Sequence, residues 1–212
     1  AHVAKMVSGW TQRMSESEIE RVIHMFGQAA LRGYNAGFDM IELHGATGYL
    51  IAQFLSAITN KRSSPWGGTP EDRMRFLLAI VKKVKSLLPD NYPVGFRLIL
   101  DEKLEGGISM EEAIRFARKL EASGIAYLSP TVGSYFSMFN PEVAKQLSKA
   151  GHLRKLTSEL WRQVHIPVII SGRITTPKLG EKILKNNEAD MIGLGRPLLV
   201  DRHWIPKATN NA

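Results

Sequence analysis

The chain has 212 residues, 44% of them hydrophobic and 23% charged, which suits one globular domain with a sizeable core. It contains no cysteine, which excludes disulfides, a thiolate nucleophile and cysteine-bound iron–sulfur clusters, and no apolar run approaches the roughly 20 residues of a bilayer span. The formal net charge of +8 comes from Lys and Arg scattered among acidic residues along predicted helices, which favours solvated helix surfaces over nucleic-acid binding.

The first predicted helix begins after Ser15, because Ser15 and Glu18 have the spacing of a capping box. Apolar residues then recur at helical spacing until Gly37 interrupts the pattern. The apolar segment Phe38–Leu43 predicts a short buried strand directly after this helix.

Three later helices are predicted from Ser or Thr residues at N-cap positions. These N-caps are Thr69 and Thr176, each followed by proline, and Ser109, followed by Glu112. A further helix is predicted around Leu153–Gln163. The strands predicted between these helices are Pro93–Leu100, Ile125–Ser129, Ile166–Ser171 and Ala189–Gly195.

This alternation of helices and strands predicts an α/β fold with a parallel sheet. Five strand–helix units of similar length favour a TIM (β/α)8-type barrel, although an open doubly wound sheet fits the same pattern. Such a barrel needs eight strands in about 250 residues. We therefore expect the chain to hold about strands 4 to 8 with their helices, so that residues 1–212 form one partial barrel domain without its N-terminal strands.

Polar side chains follow the first two predicted strands, where a barrel places its active site. His44, Thr47 and Tyr49 come directly after the first strand, and Arg97 lies on the second. His44 can donate a hydrogen bond to a carbonyl oxygen, and Tyr49 can donate a proton. A core histidine beside a packing tyrosine is the alternative interpretation of this pattern.

Glycine and arginine follow the last two predicted strands. Ser171-Gly172-Arg173 ends one strand, and Gly195-Arg196 ends the other. Glycine lets backbone N–H groups approach phosphate oxygens, and arginine pairs bidentately with phosphate. The pattern therefore predicts a phosphate site after the last two strands, although two tight turns would use glycine in the same way.

Several motifs, in a constant order from about Trp10 onward, resemble the signature of the Old Yellow Enzyme family of FMN-dependent ene-reductases, also described as NADH:flavin oxidoreductases. Because the motifs are independent and cover nearly the whole chain, the match is specific. The matching segments are Gly37–Leu50, Gln53–Ser56, Thr59–Arg62, Trp66–Gly68, Glu71–Phe76, Val94–Arg97, Gly106-Gly107, Val168–Gly172 and Ile192–Pro197.

The resemblance implies a barrel that holds FMN, accepts electrons from NADPH or NADH and reduces the C=C bond of an enone or another activated alkene. His44 and Thr47 would bind the carbonyl or nitro oxygen of the substrate, and Tyr49 would protonate its α-carbon. Arg97 would lie against the N1/O2 edge of the flavin. The remaining cofactor-binding positions, chiefly for the FMN phosphate, would be Ser171, Gly172, Arg173, Gly195 and Arg196.

Two departures from the family pattern keep another interpretation open. Position 47 is normally His or Asn, and Thr47 has a shorter reach toward a substrate oxygen. The family also takes flavin contacts from N-terminal strands that we expect to be missing here. The alternative is a non-catalytic truncated barrel that needs the missing segment, a second copy or a partner chain to complete it.

Other classes fit the sequence less well. A tRNA dihydrouridine synthase relies on an active-site cysteine, which the chain lacks, and a doubly wound dinucleotide-binding module would need Gly-x-Gly-x-x-Gly after its first strand. We expect a cytoplasmic protein with a small-molecule substrate and without a metal, membrane or nucleic-acid partner. The loop Thr131–Pro141, rich in aromatic residues, is expected to shape the substrate pocket or an interface, with plain packing as the alternative.

Overall fold

A computed structural model describes residues 12–63 and 65–209, so that Trp10, where the resemblance begins, lies outside the described part. The helices are α1 (Glu16–Asn35), α2 (Leu50–Leu55), α3 (Pro70–Lys85), α4 (Met110–Ala122), α5 (Pro141–Leu147), α6 (Arg154–Trp161), α7 (Pro177–Lys185), α8 (Arg196–Val200) and α9 (Trp204–Thr209). The strands are β1 (Ile41–Gly45), β2 (Val94–Ile99), β3 (Tyr127–Thr131), β4 (Ile169–Ile170) and β5 (Met191–Ile192). A short 3-10 helix, Ser137–Phe139, precedes α5.

The described strands run parallel and lie side by side in chain order. In the ladder of β1, β2 and β3, His44 pairs with Arg97, and Arg97 pairs with Ser129. A parallel bridge between Leu128 and Val168 joins β3 to β4, which pairs with β5. A doubly wound sheet reverses its direction of growth at a switch point, whereas each of these strands adds on the same side. The predicted α/β fold with parallel strands is therefore confirmed, in the strand order of a barrel wall.

The helices begin where the local sequence predicts. Ser15 N donates to Glu18 Oε2 at 2.7 Å and Glu18 N donates to Ser15 Oγ at 3.3 Å, which completes the capping box of α1. Thr69, Ser109 and Thr176 each accept a backbone hydrogen bond at the start of their helix. Each cap of this kind stabilises its helix by about 1 kcal/mol.

One face of the sheet is covered by helices and supplies the main core. Leu43, Phe96 and Leu128 lie opposite one another across three strands and are at most 5% exposed. Burying Phe96 contributes about 1.5–3 kcal/mol. Gly45 makes this packing possible, because a Cβ there would lie 2.0 Å from the Cζ of Phe96. The opposite face carries the polar side chains of Glu42, His44, Arg97 and Ser129, together with buried Ile99.

The predicted start of the first strand, Phe38–Leu43, is wrong. Gly37 is left-handed, with φ of 84°, and Phe38 N donates to Gly33 O at 3.3 Å, which is the cap that ends α1. Phe38 is accordingly 65% exposed. The chain enters the sheet only at Ile41.

The last two strands are shorter than the predicted segments Ile166–Ser171 and Ala189–Gly195. Val168 N donates to the Oδ2 atom of Asp190 at 2.8 Å, so a side chain takes the donor that a longer ladder would use. Backbone pairing continues beside this contact, because Asp190 N donates to Val168 O at 3.0 Å.

Short helices account for most of what the sequence pattern missed. α2, α5, α8 and α9 each have seven residues or fewer, too few to show a helical period. α5 begins at the end of the predicted loop Thr131–Pro141, where the Asn140 side chain accepts from Glu142 N and Val143 N. In the described ranges, no helix is long and apolar enough to cross a membrane.

Candidate active site

A row of polar side chains crosses the face of the sheet that the helices leave uncovered. His44, Arg97 and Ser129 occupy paired positions on β1, β2 and β3, so their side chains point to the same side. Arg97 Nη1 donates to Ser129 Oγ at 3.0 Å, which holds the guanidinium across β3. The predicted site residues His44 and Arg97 are therefore neighbours on one surface.

A second polar layer lies two residues earlier on the same strands, and sequence analysis did not find it. Glu42, Gly95 and Tyr127 are paired, and a Cβ on Gly95 would lie 2.0 Å from the Cζ of Tyr127, so this ring lies across β2. Burial raises the pKa of Glu42, and the nearby charge of Arg97 and the hydroxyls of Ser129 and Tyr127 partly offset the rise. The pKa of Tyr127 is also raised, by burial and then by Glu42.

Tyr49 and His44 form the donor pair at the end of β1. Their ring centroids are 5.2 Å apart and the rings are tilted by 54°. Tyr49 precedes α2, makes no capping hydrogen bond with its side chain and is 61% exposed. Burial lowers the pKa of His44 and the positive charge of Arg97 lowers it further, so His44 is neutral at neutral pH and carries one N–H donor.

Thr47 lies in a tight turn between His44 and Tyr49. Tyr49 N donates to Ala46 O at 3.2 Å, and the two central residues are left-handed, with φ of 61° at Thr47 and 85° at Gly48. This is the geometry of a type I′ turn, which favours Asn-Gly, and a β-branched residue at its first central position is strained. The Thr47 hydroxyl makes no hydrogen bond within the described residues, so it is open to a ligand.

The loop after β3 packs against this turn. Tyr135 N donates to Thr47 O at 3.1 Å, next to a bridge between Thr47 and Ser134. Ser134 and Ser137 are fully buried and bond to each other's backbone, which fixes the loop. The rings of Tyr135 and Phe139 lie edge to face, 5.4 Å apart, and remain largely exposed. The loop thus places an aromatic surface beside the predicted substrate residues.

The glycine-rich ends of β4 and β5 form a second, cationic region. Gly172 and Arg173 are both left-handed, with φ of 110° and 52°, and the space around Gly195 is open. The backbone N–H groups of Gly172, Arg173 and Gly195 make no hydrogen bond to any residue that the structure describes. Ser171 brings the two strand ends into contact. A Cβ atom on Gly193 would lie 3.3 Å from the Cβ atom of Ser171.

The two arginines of this region lack an acidic partner within the described ranges. No ion pair or side-chain hydrogen bond involves Arg173 or Arg196 there. Arg154, a little earlier in the chain, differs, because its guanidinium binds both carboxylate oxygens of Glu188 at 2.5 and 2.6 Å. The cationic region therefore carries positive charge that no described carboxylate neutralises, as an anion site requires.

His152 belongs to this region and was missed by sequence analysis. A Cβ on Gly172 would lie 2.9 Å from its Cε1 atom. Burial lowers the pKa of His152, a hydrogen bond to the Lys149 carbonyl raises it, and the charges of Arg173 and Arg196 lower it. No local sequence motif predicts a role for this residue, since it precedes α6 and lies near the end of β4 only in the folded chain.

Residues 2–212 match the model of the NADH:flavin oxidoreductase / NADH oxidase family. The chain belongs to this family. Its members bind FMN and use NADH or NADPH, so the resemblance found in the motifs is confirmed, together with the cofactors that it implies.

Three curated relatives of the chain are enzymes with different names. An NADH oxidase of Thermoanaerobacter brockii is 41% identical over 200 residues, which cover 93% of this chain and 30% of that protein. A metal reductase of Desulforamulus reducens is 34% identical over 205 residues, covering 97% of this chain and 30% of that protein. A bilirubin reductase of Mediterraneibacter gnavus is 31% identical over 207 residues, covering 92% and 31%. The chain thus spans about a third of the length of these relatives.

Solved structures of flavin oxidoreductases have the same fold. A 2-naphthoyl-CoA reductase in complex with 2-naphthoyl-CoA superposes with a TM-score of 0.88 at 31% identity, over 97% of this chain and 31% of that one. Morphinone reductase in complex with tetrahydroNAD gives a TM-score of 0.74 at 27% identity, over 95% of this chain and 51% of that one.

Proposed function

We propose that this chain carries the FMN phosphate site and the substrate-activating residues of an oxidoreductase that reduces the C=C bond of α,β-unsaturated carbonyl or nitro compounds with NADPH or NADH. One observation carries the proposal. A donor pair, His44 and Tyr49, and a second pair, Arg173 and Arg196, which has no acidic partner among the described residues, lie at or just after the carboxyl ends of parallel strands that the Leu128–Val168 bridge joins. Arg97 lies on the strand next to the donor pair.

The cationic region fits the phosphate of FMN. Gly195 leaves open space for phosphate oxygens, the backbone N–H groups of Gly172, Arg173 and Gly195 have no partner among the described residues, and Ser171 adds a hydroxyl. Arg173 and Arg196 supply the opposite charge. When bound, FMN supplies the hydride for the alkene. Arg97, held by Ser129, presents positive charge to the electron-rich edge of the ring system.

The residues after β1 fit the activation of an alkene that carries an electron-withdrawing oxygen. Neutral His44 donates its N–H to that oxygen, and the Thr47 hydroxyl lies in the next turn as a shorter second donor. Tyr49, exposed and in ring contact with His44, donates a proton to the α-carbon. The aromatic surface of Tyr135 and Phe139 borders the substrate on the other side.

We also propose that the described strands are part of an eight-stranded barrel wall, with residues 1–212 as one domain. The strand order and the uncovered polar face support this arrangement. A polar inner layer such as Glu42 and Tyr127 would then face the barrel interior. Closure by further strands, a second copy or a partner chain is part of the same proposal.

Titration of the purified protein with FMN, followed by its visible absorption spectrum, tests this function. We expect a perturbed flavin spectrum, and we expect Arg173→Ala to weaken FMN binding about tenfold to a hundredfold, because a charged hydrogen-bonded contact is lost. Riboflavin, which lacks the phosphate, should bind the wild type and this variant equally.

The matched control for the titration is Arg162→Ala, which removes an exposed arginine at the end of α6 and should leave FMN affinity unchanged. Failure of the wild type to bind FMN at all would contradict the proposal. That result would favour a non-catalytic chain that depends on other segments.

Thr47→Asn tests whether the short reach of the Thr47 hydroxyl limits its hydrogen bond to the substrate oxygen. Asn tolerates the left-handed conformation of position 47 and reaches further, so we expect the free energy of unfolding to rise by about 1 kcal/mol and turnover of enones to increase. Urea unfolding and steady-state assays with cyclic and nitro alkenes measure the two effects.

Thr175→Asn is the control for this substitution, because Thr175 is exposed and has ordinary backbone angles. It should change stability by less than about 0.5 kcal/mol. A Thr47→Asn variant with the rate and substrate range of the wild type would show that Thr47 does not limit substrate binding.

A further inference from the structure

His152 is held against the glycine-rich end of β4 by backbone contacts. Gly151 N donates to Gly172 O at 3.1 Å and to Arg173 O at 3.3 Å, which ties the turn before α6 to the cationic region. A Cβ on Gly172 would lie 2.9 Å from the Cε1 atom and 3.2 Å from the Nε2 atom of His152. Only glycine therefore allows the imidazole to lie at this strand end.

The two ring nitrogens of His152 have different surroundings. Nδ1 lies 3.2 Å from the Lys149 carbonyl oxygen, which can only accept, so Nδ1 carries the proton in the neutral ring. Nε2 has no hydrogen-bond partner among the residues that the structure describes. The packing of the ring thus uses one nitrogen and leaves the other available to a ligand.

The charges that act on His152 are all of one sign. Arg173 comes from the loop after β4 and Arg196 from the start of α8. Their charges disfavour protonation of the ring, in addition to the larger effect of burial. At the start of α6, which follows His152, the charge of Arg154 is neutralised by its ion pair with Glu188. No described carboxylate acts on His152 in the opposite sense. Binding of a dianion would reverse this balance, because it offsets both arginines and offers an acceptor to a protonated Nε2.

We propose that His152 is a third ligand of the phosphate group, one that takes up a proton as the anion binds and makes cofactor affinity depend on pH. The inference rests on the proposed function, since it names a further residue of the same FMN site. Neutral His152 presents a lone pair at Nε2, which repels a phosphate oxygen. Protonated His152 presents an N–H donor, so phosphate and proton bind cooperatively.

Sulfate is the sharpest probe, because it stays dianionic across the range in which His152 titrates, whereas the second pKa of a phosphate monoester is about 6. We expect the sulfate affinity of the purified protein, measured by calorimetry, to rise about threefold to tenfold from about pH 8 to about pH 5.5, because a rise of one unit in the pKa of the ring on binding sets an upper limit of about tenfold. In parallel, the NMR titration of the His152 ring should move to higher pH when sulfate is added.

His152→Asn is the matched variant, because its amide N–H can keep the bond to the Lys149 carbonyl while Nε2 is removed. Its sulfate affinity should vary less than about twofold over the same range. His165→Gln is the control, since the His165 side chain is 95% exposed beside Glu121 on the outside of α4 and should leave the pH profile of the wild type intact.

Two outcomes separate this inference from the proposed function. FMN binding with a flat sulfate profile, or with the same profile in His152→Asn, would overturn the role of His152 and leave the FMN site standing. Absence of FMN binding at every pH would overturn both. A second measurement needs no anion: Arg173→Ala should raise the pKa of His152, because it removes a charge that lowers that pKa.

Discussion

Replacing Tyr49 by phenylalanine is expected to slow reduction of an enone about 10²–10⁴-fold, because the substitution removes the proposed proton donor to the α-carbon. Reduction of the bound flavin by NADPH or NADH should keep its rate, since that step needs no proton from position 49. The ring of phenylalanine preserves the contact with His44, whose centroid lies 5.2 Å away. Tyr49 is 61% exposed, and its hydroxyl makes no hydrogen bond that the described fold would lose.

Rapid-mixing measurements separate the two half-reactions. The flavin absorbance is followed first with reductant alone and then, from the reduced enzyme, with 2-cyclohexenone. Tyr34→Phe is the matched control, because Tyr34 is another exposed tyrosine and lies on α1, outside the proposed site. A similar loss in both half-reactions of Tyr49→Phe, or an equal loss in Tyr34→Phe, would mean that Tyr49 does not act as the proton donor.

The placement of this donor pair could be predicted from the sequence because it depends on local signals. A capping Ser15, Thr69, Ser109 or Thr176 begins a helix through contacts within four residues, and each was predicted correctly. Parallel strands between such helices must end at one edge of the sheet. Polar residues that follow the strands therefore come together at that edge.

Features that depend on distant parts of the chain could not be predicted. His152 meets Gly172 because Gly151 bonds across to the loop after β4, twenty-one residues later. Tyr127 reaches across β2 because its partner in the register is Gly95, which only the ladder reveals. The strain at Thr47 is an intermediate case. The sequence shows Thr-Gly where a type I′ turn favours Asn-Gly, but only the structure shows that the residues form this turn.

Register also decides which polar residues can act together. Glu42 and His44 lie on the same side of β1, so the carboxylate, the imidazole and Arg97 share one surface, while Leu43 between them enters the core. A slip of one residue would bury His44 and expose Leu43. The core residues of β1 thus fix the orientation of His44 and Glu42, so the proposed substrate site depends on the helix packing behind the sheet.

The buried Arg73 side chain holds several of these helices together. Its guanidinium forms an ion pair with Glu112 and donates to Leu55 O at 2.7 Å and to Gly68 O at 2.9 Å. It thereby joins α3 to α4, to the end of α2 and to the turn before α3. The side chains of Arg73 and Glu112 are only 6% and 17% exposed, so water cannot replace either partner fully.

Arg73→Met should lower the free energy of unfolding by about 3–5 kcal/mol, because it leaves a half-buried carboxylate and two carbonyl oxygens without their donor. Arg73→Lys keeps the charge but cannot supply three donors in one plane, so it should recover only part of the loss. Urea unfolding followed by circular dichroism measures these differences.

Arg75→Ala is the control in the same helix. Arg75 pairs with Asp72 at the surface, and its side chain is 57% exposed, so the loss should stay below about 1 kcal/mol. The double variant Arg73→Met with Glu112→Leu should regain stability relative to Arg73→Met alone, since it removes the stranded carboxylate. If Arg73→Met cost no more than Arg75→Ala, the joint at Arg73 would not support α2. The position of Tyr49 at the start of that helix would then depend on the turn at Thr47 and on the buried side chains of α2.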